Sequence, residues 1–287
     1  MESKITIIIL IFEEKIEVIF KCLKLLSDFE IILIDNSNNL ERKKKLSENF
    51  NISKYFLNKK NLGFSKAINR AIKNCDTEYL LILNPDCLIT KDEILKLYKS
   101  IIKYNNCIIT TPTLITRENK IAQNASLFPE SGSLRTPFKI DGDLCCQSIL
   151  AAAMFCKTSE LIKIGLFDEN FFLFYEDDDL CRRINNEKKS IIQVSDAVAI
   201  HQHGEGESIS NLLKKTFIIN YNMTYSELFY FYKINKHHEK FNILKKKIPN
   251  YIFKFILNLF LIRFNKSVYF FSKILAFLKF KSLLNKN

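Results

Sequence analysis

Along residues 1–113 the apolar positions come in short blocks of Ile, Leu and Val, separated by polar stretches with helical spacing. Ile5–Phe12, Glu30–Asp35, Lys54–Leu57, Glu78–Leu83 and Cys107–Thr111 read as strands. Lys15–Leu26, Gly63–Asn74 and Asp92–Lys103 read as helices. Continuous apolar runs mark strands covered on both faces, and their alternation with helices implies an α/β fold with a mostly parallel sheet. Such sheets bind ligands beyond the carboxyl ends of their strands. The polar clusters Asp35-Asn36-Ser37-Asn38 and Asn84-Pro85-Asp86 stand at those ends.

The pattern then changes. Residues 114–147 lose their periodicity and carry Pro129, Gly132, Pro137 and Gly142, which predicts a long surface loop. Ser148–Cys156 is small and apolar and reads as one buried strand. An acidic, aromatic segment follows, then a strand at Ser190–Val194, then Ile200-His201-Gln202-His203-Gly204. The remainder, 205–287, reads as helical, and no internal repeat is visible.

A length of 287 residues with 47% hydrophobic and 26% charged residues suits one large domain, or one domain with an appendage. Charge changes the picture more than composition does. From Lys214 onward the chain holds 15 Lys+Arg against 2 Asp+Glu, while the first 213 residues hold 28 against 29. The whole basic excess lies in the tail, which implies an anionic partner there. Eight scattered cysteines form no C-x-x-C pair and no zinc spacing, so a reducing compartment is expected. The opening MESKITIIILIFEEK stops its apolar run at Glu13-Glu14 and reads as a strand rather than a signal peptide. No apolar run reaches the roughly 18 residues of a spanning helix.

The segment Gly165–Arg183 sets Asp168, Glu169, Glu176, Asp177, Asp178 and Asp179 among large aromatics. Carboxylates near buried rings need a metal, cationic ligands or shifted pKa values, and serve acid–base or metal chemistry. The alternative is a solvated acidic helix start.

Four pieces stand in order: Asp35-Asn36-Ser37; Asn61-Leu62-Gly63-Phe64 running on to Asn69; Asn84-Pro85-Asp86; and Phe167-Asp168 running on through Tyr175-Glu176-Asp177-Asp178-Asp179-Leu180-Cys181-Arg182. His201 follows them. This set resembles the inverting family 2 glycosyltransferases, in particular their rhamnosyltransferase-like branch, over about residues 4–208. The resemblance implies a GT-A fold with a C-terminal helical extension, and a division into a transferase domain (1–213) and a basic amphipathic tail (214–287).

It also implies roles. Asp35 and Asn36 would contact the donor's nucleotide, although Asp, Asn and Ser also suit a helix cap. Asn61, Gly63 and Phe64 would lie near the diphosphate, Gly63 allowing close backbone approach, with Asn69 structural. Asp86 would ligate Mg²⁺ or Mn²⁺, in a motif whose first position is Asn84; a plain Asn-Pro-Asp turn is the alternative. His201 or His203 would stand on the metal or diphosphate side. Asp177 would be the general base toward the acceptor hydroxyl. Glu176 and Asp179 would shape the site, and Arg182 would hold a carboxylate or phosphate. Asp168 reads as a turn or cap residue, with a contact on the acceptor side as the alternative.

Two departures from the family pattern are Ile11-Phe12-Glu13, where Thr-Tyr-Asn is common, and Asn39, where Asp is common. The expected reaction transfers a sugar, dTDP-rhamnose being the first donor to consider and UDP- or GDP-sugars the others, onto a glycan or lipid-linked oligosaccharide. Within Tyr251–Asn265 the polar Lys254, Asn258 and Asn265 form a narrow stripe, which predicts a helix lying in the inner face of the cytoplasmic membrane, a helix packed on the catalytic domain being the alternative. The protein is therefore expected to be cytoplasmic and peripheral. A non-catalytic, membrane-associated partner in polysaccharide assembly is the alternative function. Nucleic-acid binding is not expected, since no recognisable module accompanies the tail's charge.

Overall fold

The computed structural model describes residues 2–122, 124–131, 141–201 and 212–286. They fall into two compact units. The first comprises the chain up to Glu169 and, from Asp177, the last helix and strand of the sheet. The second comprises Asn170–Glu176 and the C-terminal helices.

The first unit contains the strands β1 (Ile5–Ile11), β2 (Glu30–Asp35), β3 (Lys54–Leu57), β4 (Tyr79–Leu83), β5 (Cys87–Leu88), β6 (Cys107–Ile115), β7 (Ala125–Ser126), β8 (Leu144–Cys145), β9 (Ser148–Ile149), β10 (Ala153–Lys157) and β11 (Ser190–His201). Its helices are α1 (Ile16–Lys24), α2 (Leu40–Asn49), α3 (Phe64–Ile72), α4 (Lys91–Lys103), α5 (Thr158–Lys163) and α6, which starts at Glu176 and ends at Asn186. The main sheet runs β3-β2-β1-β4-β10-β6-β11-β5, with β8 added on β11. β3, β2, β1 and β4 are mutually parallel; β10 is antiparallel to both its neighbours, and β11 is again parallel to β6.

The Ile-rich sequence of β1 follows from its central place. Ile5, Ile7, Ile9 and Ile11 enter one core layer with Ile19 and Leu23 of α1 and Ile94 and Leu97 of α4. Ile8 enters the other, with Ala67 and Ile68 of α3 and Leu180 and Ile184 of α6. Each such side chain contributes about 2 kcal/mol of burial free energy. The expected α/β fold, a mixed sheet flanked by helices and followed by further helices, is what the structure has.

Three expectations need correction. Ser148–Cys156 is not one strand. β9 pairs with β7 in a separate two-stranded sheet, and the chain crosses at Leu150–Ala152 before β10 enters the main sheet. Residues 114–147 are not wholly loop, because β6 continues to Ile115 beside β11, and Asn124 is buried with its amide on Thr111 and Pro112. α2 was not foreseen, since only Leu46 of its polar sequence is buried; Asn39 caps it, accepting from the Arg42 amide at 2.8 Å.

The second unit contains α7 (Leu212–Lys233), α8 (His237–Phe260) and α9 (Phe264–Leu284). The polar stripe of the sequence reading is split: Lys254 and Asn265 are exposed, and Asn258 is not. Asn258 is buried, its amide on the Lys254 carbonyl at 2.7 Å, and Asn265 accepts from the Thr216 hydroxyl at 2.6 Å. The apolar neighbours Phe253, Ile256, Leu257 and Phe260 are exposed as well. No described helix is long and apolar enough to cross a membrane. All eight cysteines are free.

Candidate active site

β2 ends at Asp35, which is fully buried. One carboxylate oxygen accepts from the Ser37 amide at 2.7 Å and the other from the Tyr55 hydroxyl at 2.9 Å. Burial and the adjacent Asp35 charge push the Tyr55 phenol well up, so it stays a donor. Arg42 stands 3.9 Å from Asp35 and donates to the carbonyls of Phe12 (2.6 Å) and Glu14 (3.1 Å). It therefore ties the segment after β1 to the end of β2. Neither Arg42 nor Tyr55 was singled out from sequence, for neither lies in a recognisable motif.

Asn36 does not present a vacant amide. Its NH₂ donates to the Asn61 side chain and the Gly63 carbonyl, both at 3.1 Å, and its oxygen accepts from Asn58 at 2.8 Å. Asn61 also accepts from the Gly63 amide at 2.8 Å. These bonds shape the turn into α3. Gly63, at φ 79° and ψ −176°, occupies a backbone region open essentially to glycine alone. Phe64 packs edge-on against Phe167, ring centres 5.5 Å apart. Asn69 bonds both the carbonyl and the amide of Phe167, at 2.8 and 3.1 Å.

Beyond β4, the Cys87 amide donates to the Asn84 carbonyl at 3.0 Å, closing a turn over Pro85 and Asp86. The turn reading was thus correct as geometry. It aims Asp86 at His201, whose Nε2 lies 3.3 Å from the Asp86 carboxylate. Pairing of β11 with β5 sets His201 opposite Cys87 and so fixes this meeting. His203 lies outside the described residues.

Asp177 is the second residue of α6. It accepts from the Asp178 amide at 2.9 Å and, at 3.4 Å, from the Ala151 amide. Next to it, the Ala152 carbonyl accepts from the Asn84 amide at 2.9 Å. Two consecutive alanines thus connect Asp177 with the Asn84–Asp86 turn. Asp178 accepts from the Ser148 hydroxyl at 2.6 Å. Asp179 pairs with Arg183 at 2.9 Å, and Arg183 also donates to the carbonyls of Ile164 and Leu166. Arg183 was missed, although its i,i+4 spacing from Asp179 was readable. Arg182 pairs with Glu130 and covers the Phe128 ring at 4.1 Å. Glu176 is buried.

The geometry fits a divalent cation on Asp86 and His201. Adjacent ligands of an octahedral ion with bonds of about 2.1 Å lie about 3 Å apart, close to the observed 3.3 Å. Among the described residues no cluster of three His, Cys, Asp or Glu could hold a metal, so phosphate oxygens and water would have to complete the shell.

Residues 6–158 match the family described as glycosyl transferase family 2. The chain is 30% identical over 183 residues to the low-salt glycan biosynthesis hexosyltransferase Agl10 of Haloferax volcanii, covering 60% of this chain and 58% of that protein. It thus spans little more than half the length of that relative. Among solved structures it is similar to GalNAc-T7 with UDP, GalNAc and Mn²⁺ (TM-score 0.58, 16% identity, 79% of this chain and 51% of that one). It is also similar to the Pyrobaculum calidifontis mannosyltransferase PcManGT in complex with GDP-Man and Mn²⁺ (0.53, 12%, 79% and 64%). A third is S. aureus TarS (0.52, 18%, 76% and 39%). At these identities the likeness establishes a shared GT-A fold and nothing finer.

Proposed function

The chain belongs to glycosyl transferase family 2, and from that premise we propose that it is a metal-dependent, inverting sugar transferase of the rhamnosyltransferase-like branch. The donor is a nucleotide-diphospho-sugar, with dTDP-rhamnose ahead of UDP- and GDP-sugars. The acceptor is a hydroxyl of a lipid-linked glycan in bacterial surface-polysaccharide synthesis. The observation that carries the reading is the Ala151–Ala152 link, which brings Asp177 beside the turn bearing Asp86. The names of the similar proteins, with UDP, GDP-Man and Mn²⁺, support the donor class and the metal.

In this mechanism the donor's base or ribose binds at the end of β2, where the buried Asp35 holds Ser37 and Tyr55 in place and would have to exchange one of these bonds to take the nucleotide itself. The Asn36–Asn61 network holds the turn at Gly63 so that backbone can approach the diphosphate. Asp86 and His201 would hold Mg²⁺ or Mn²⁺, and an ion there would supply positive charge facing the diphosphate. Asp177 takes the acceptor's proton as its oxygen attacks the anomeric carbon, and a single displacement inverts the configuration. Residues 1–213 form the transferase domain, and residues 214–287 attach it peripherally to the inner face of the cytoplasmic membrane.

The test is nucleotide release from a panel of donors with Mg²⁺ or Mn²⁺ and a lipid-linked acceptor. One donor should turn over, EDTA should abolish this, and Asp177→Asn should lower the rate by roughly 10²–10⁴-fold while a thermal-shift titration still shows donor binding. Binding without turnover would instead favour a non-catalytic assembly partner. Absence of any nucleotide binding would overturn both readings.

A further inference from the structure

We propose that the α7–α9 unit binds the phosphate head group of an anionic lipid in a lysine-lined cavity, with the α8–α9 turn inserted among the acyl chains. This deepens the membrane half of the reading above and is independent of its glycosyl-transfer half.

The turn buries polar side chains and exposes large apolar ones, with Arg263, Asn265 and Lys266 exposed beside them. Asn258, Ser267 and Ser272 are buried, while Phe253 is 63% exposed, Phe260 82%, Ile262 73% and Phe264 52%. Water does not favour that arrangement, and a bilayer interface does. Ile262 sharpens the point. It sits at φ 56° after α8, a left-handed position at which glycine is usual and a β-branched residue is strained. An exposed, strained isoleucine has no benefit in water, and burial in lipid offsets the strain.

The same unit encloses a cavity of about 220 Å³ lined by Lys240, Lys247, Lys273, Thr224, Glu227 and Tyr251 among others. It is smaller than the roughly 300–1,000 Å³ of small-molecule pockets, a size for a head group rather than a sugar nucleotide. Lys240 pairs with Glu227 at 2.8 Å, while Lys273 lies over the Tyr269 ring at 4.6 Å and keeps its charge, as does Lys247, for an anion. Phe260 lies nine residues beyond Tyr251, about 13 Å along the helix axis. A phosphate held in the cavity therefore leaves its acyl chains running beside Ile252–Phe260. From Lys240 to Lys286 there are 11 Lys+Arg and no acidic residue. That density disfavours a second copy of this chain as the occupant and favours an anionic surface.

The test is sedimentation of the full-length protein with vesicles of phosphatidylcholine alone or mixed with phosphatidylglycerol. The wild type should prefer the anionic vesicles, and glycerol phosphate should compete. Lys247→Gln with Lys273→Gln should weaken anionic binding by roughly 30-fold. Phe260→Ser with Ile262→Gly should weaken binding to both vesicles while raising Tm, because glycine relieves the strain. Donor turnover in solution should be unchanged in both variants, which keeps this proposal separable from the transferase reading. Wild-type binding by the lysine variant would overturn the head-group site and leave the membrane attachment standing. Failure of the wild type to bind either vesicle would overturn both. Equal competition by inorganic phosphate would make this a free-phosphate site, and lysine-dependent binding of duplex DNA would make the partner a nucleic acid; either overturns the proposal.

Discussion

Ser226 donates its hydroxyl to the carbonyl oxygen of Leu173 at 2.9 Å. The bond holds a segment that needs holding. Phe174 and Tyr175 follow with φ of 71° and 65°, two consecutive left-handed residues without a glycine, each costing on the order of 1–3 kcal/mol. The next two residues are Glu176 and Asp177. Around the strained pair, Phe171 packs on Phe229 at 5.0 Å and Tyr175 on Tyr230 at 5.5 Å. Within the second unit, α7 thus holds the Phe171–Tyr175 segment.

Weakening that support should cost rate more than donor affinity. Ser226→Ala should destabilise the protein by about 1 kcal/mol. Tyr230→Ala, at a fully buried position, should cost about 3–5 kcal/mol. In both, kcat should fall while donor KM stays near wild type. Urea melts with steady-state kinetics check this, and a KM that rises while kcat holds would contradict it.

Arg42 should matter for donor binding. Arg42→Gln removes the charged donor to the Phe12 and Glu14 carbonyls, with an expected loss of about 1.5–3 kcal/mol of stability. Freed from this tie, the end of β2 should present Asp35 less well, and donor KM should rise with little change in kcat. Arg42→Lys should not restore it, because one ammonium cannot reproduce the guanidinium fork. Donor titrations of the two variants decide.

Glu14 gives the pH dependence. Burial raises its carboxyl above the ordinary value, against the Phe12 amide at 2.6 Å and the Arg42 charge, with Asp86 adding to the rise. In the window between the ordinary and the raised value, native Glu14 keeps a proton that the unfolded chain has released. Stability is full below that window and falls as pH rises through it. Glu14→Gln stays neutral, so its Tm advantage over wild type should widen from acidic to neutral pH. A gap that narrows as pH rises would refute this.

The strand–helix alternation, the Asp35 and Asn84–Asp86 clusters at strand ends and the acidic run at 176–179 were legible because each is a local pattern of residue types. What was illegible was long-range. Nothing near Arg42 says that it closes on Phe12 and Glu14, and nothing near Asn36 says that its amide is taken up by Asn58, Asn61 and Gly63. α2 was missed because a helix with one buried leucine lacks an apolar period.

By itself, the sequence determined the α/β class and which carboxylates stand where strands and helices begin or end, since periodicity and breakers act over a few residues. Only the tertiary structure decided which of them meet. His201 reaches Asp86 because β11 pairs with β5, and Asp177 and the Asn84 turn are linked through the main chain of the consecutive Ala151 and Ala152. It also decided that Asn258 of the tail is buried with its amide on the Lys254 carbonyl, while the neighbouring Phe253, Ile256, Leu257 and Phe260 stay exposed.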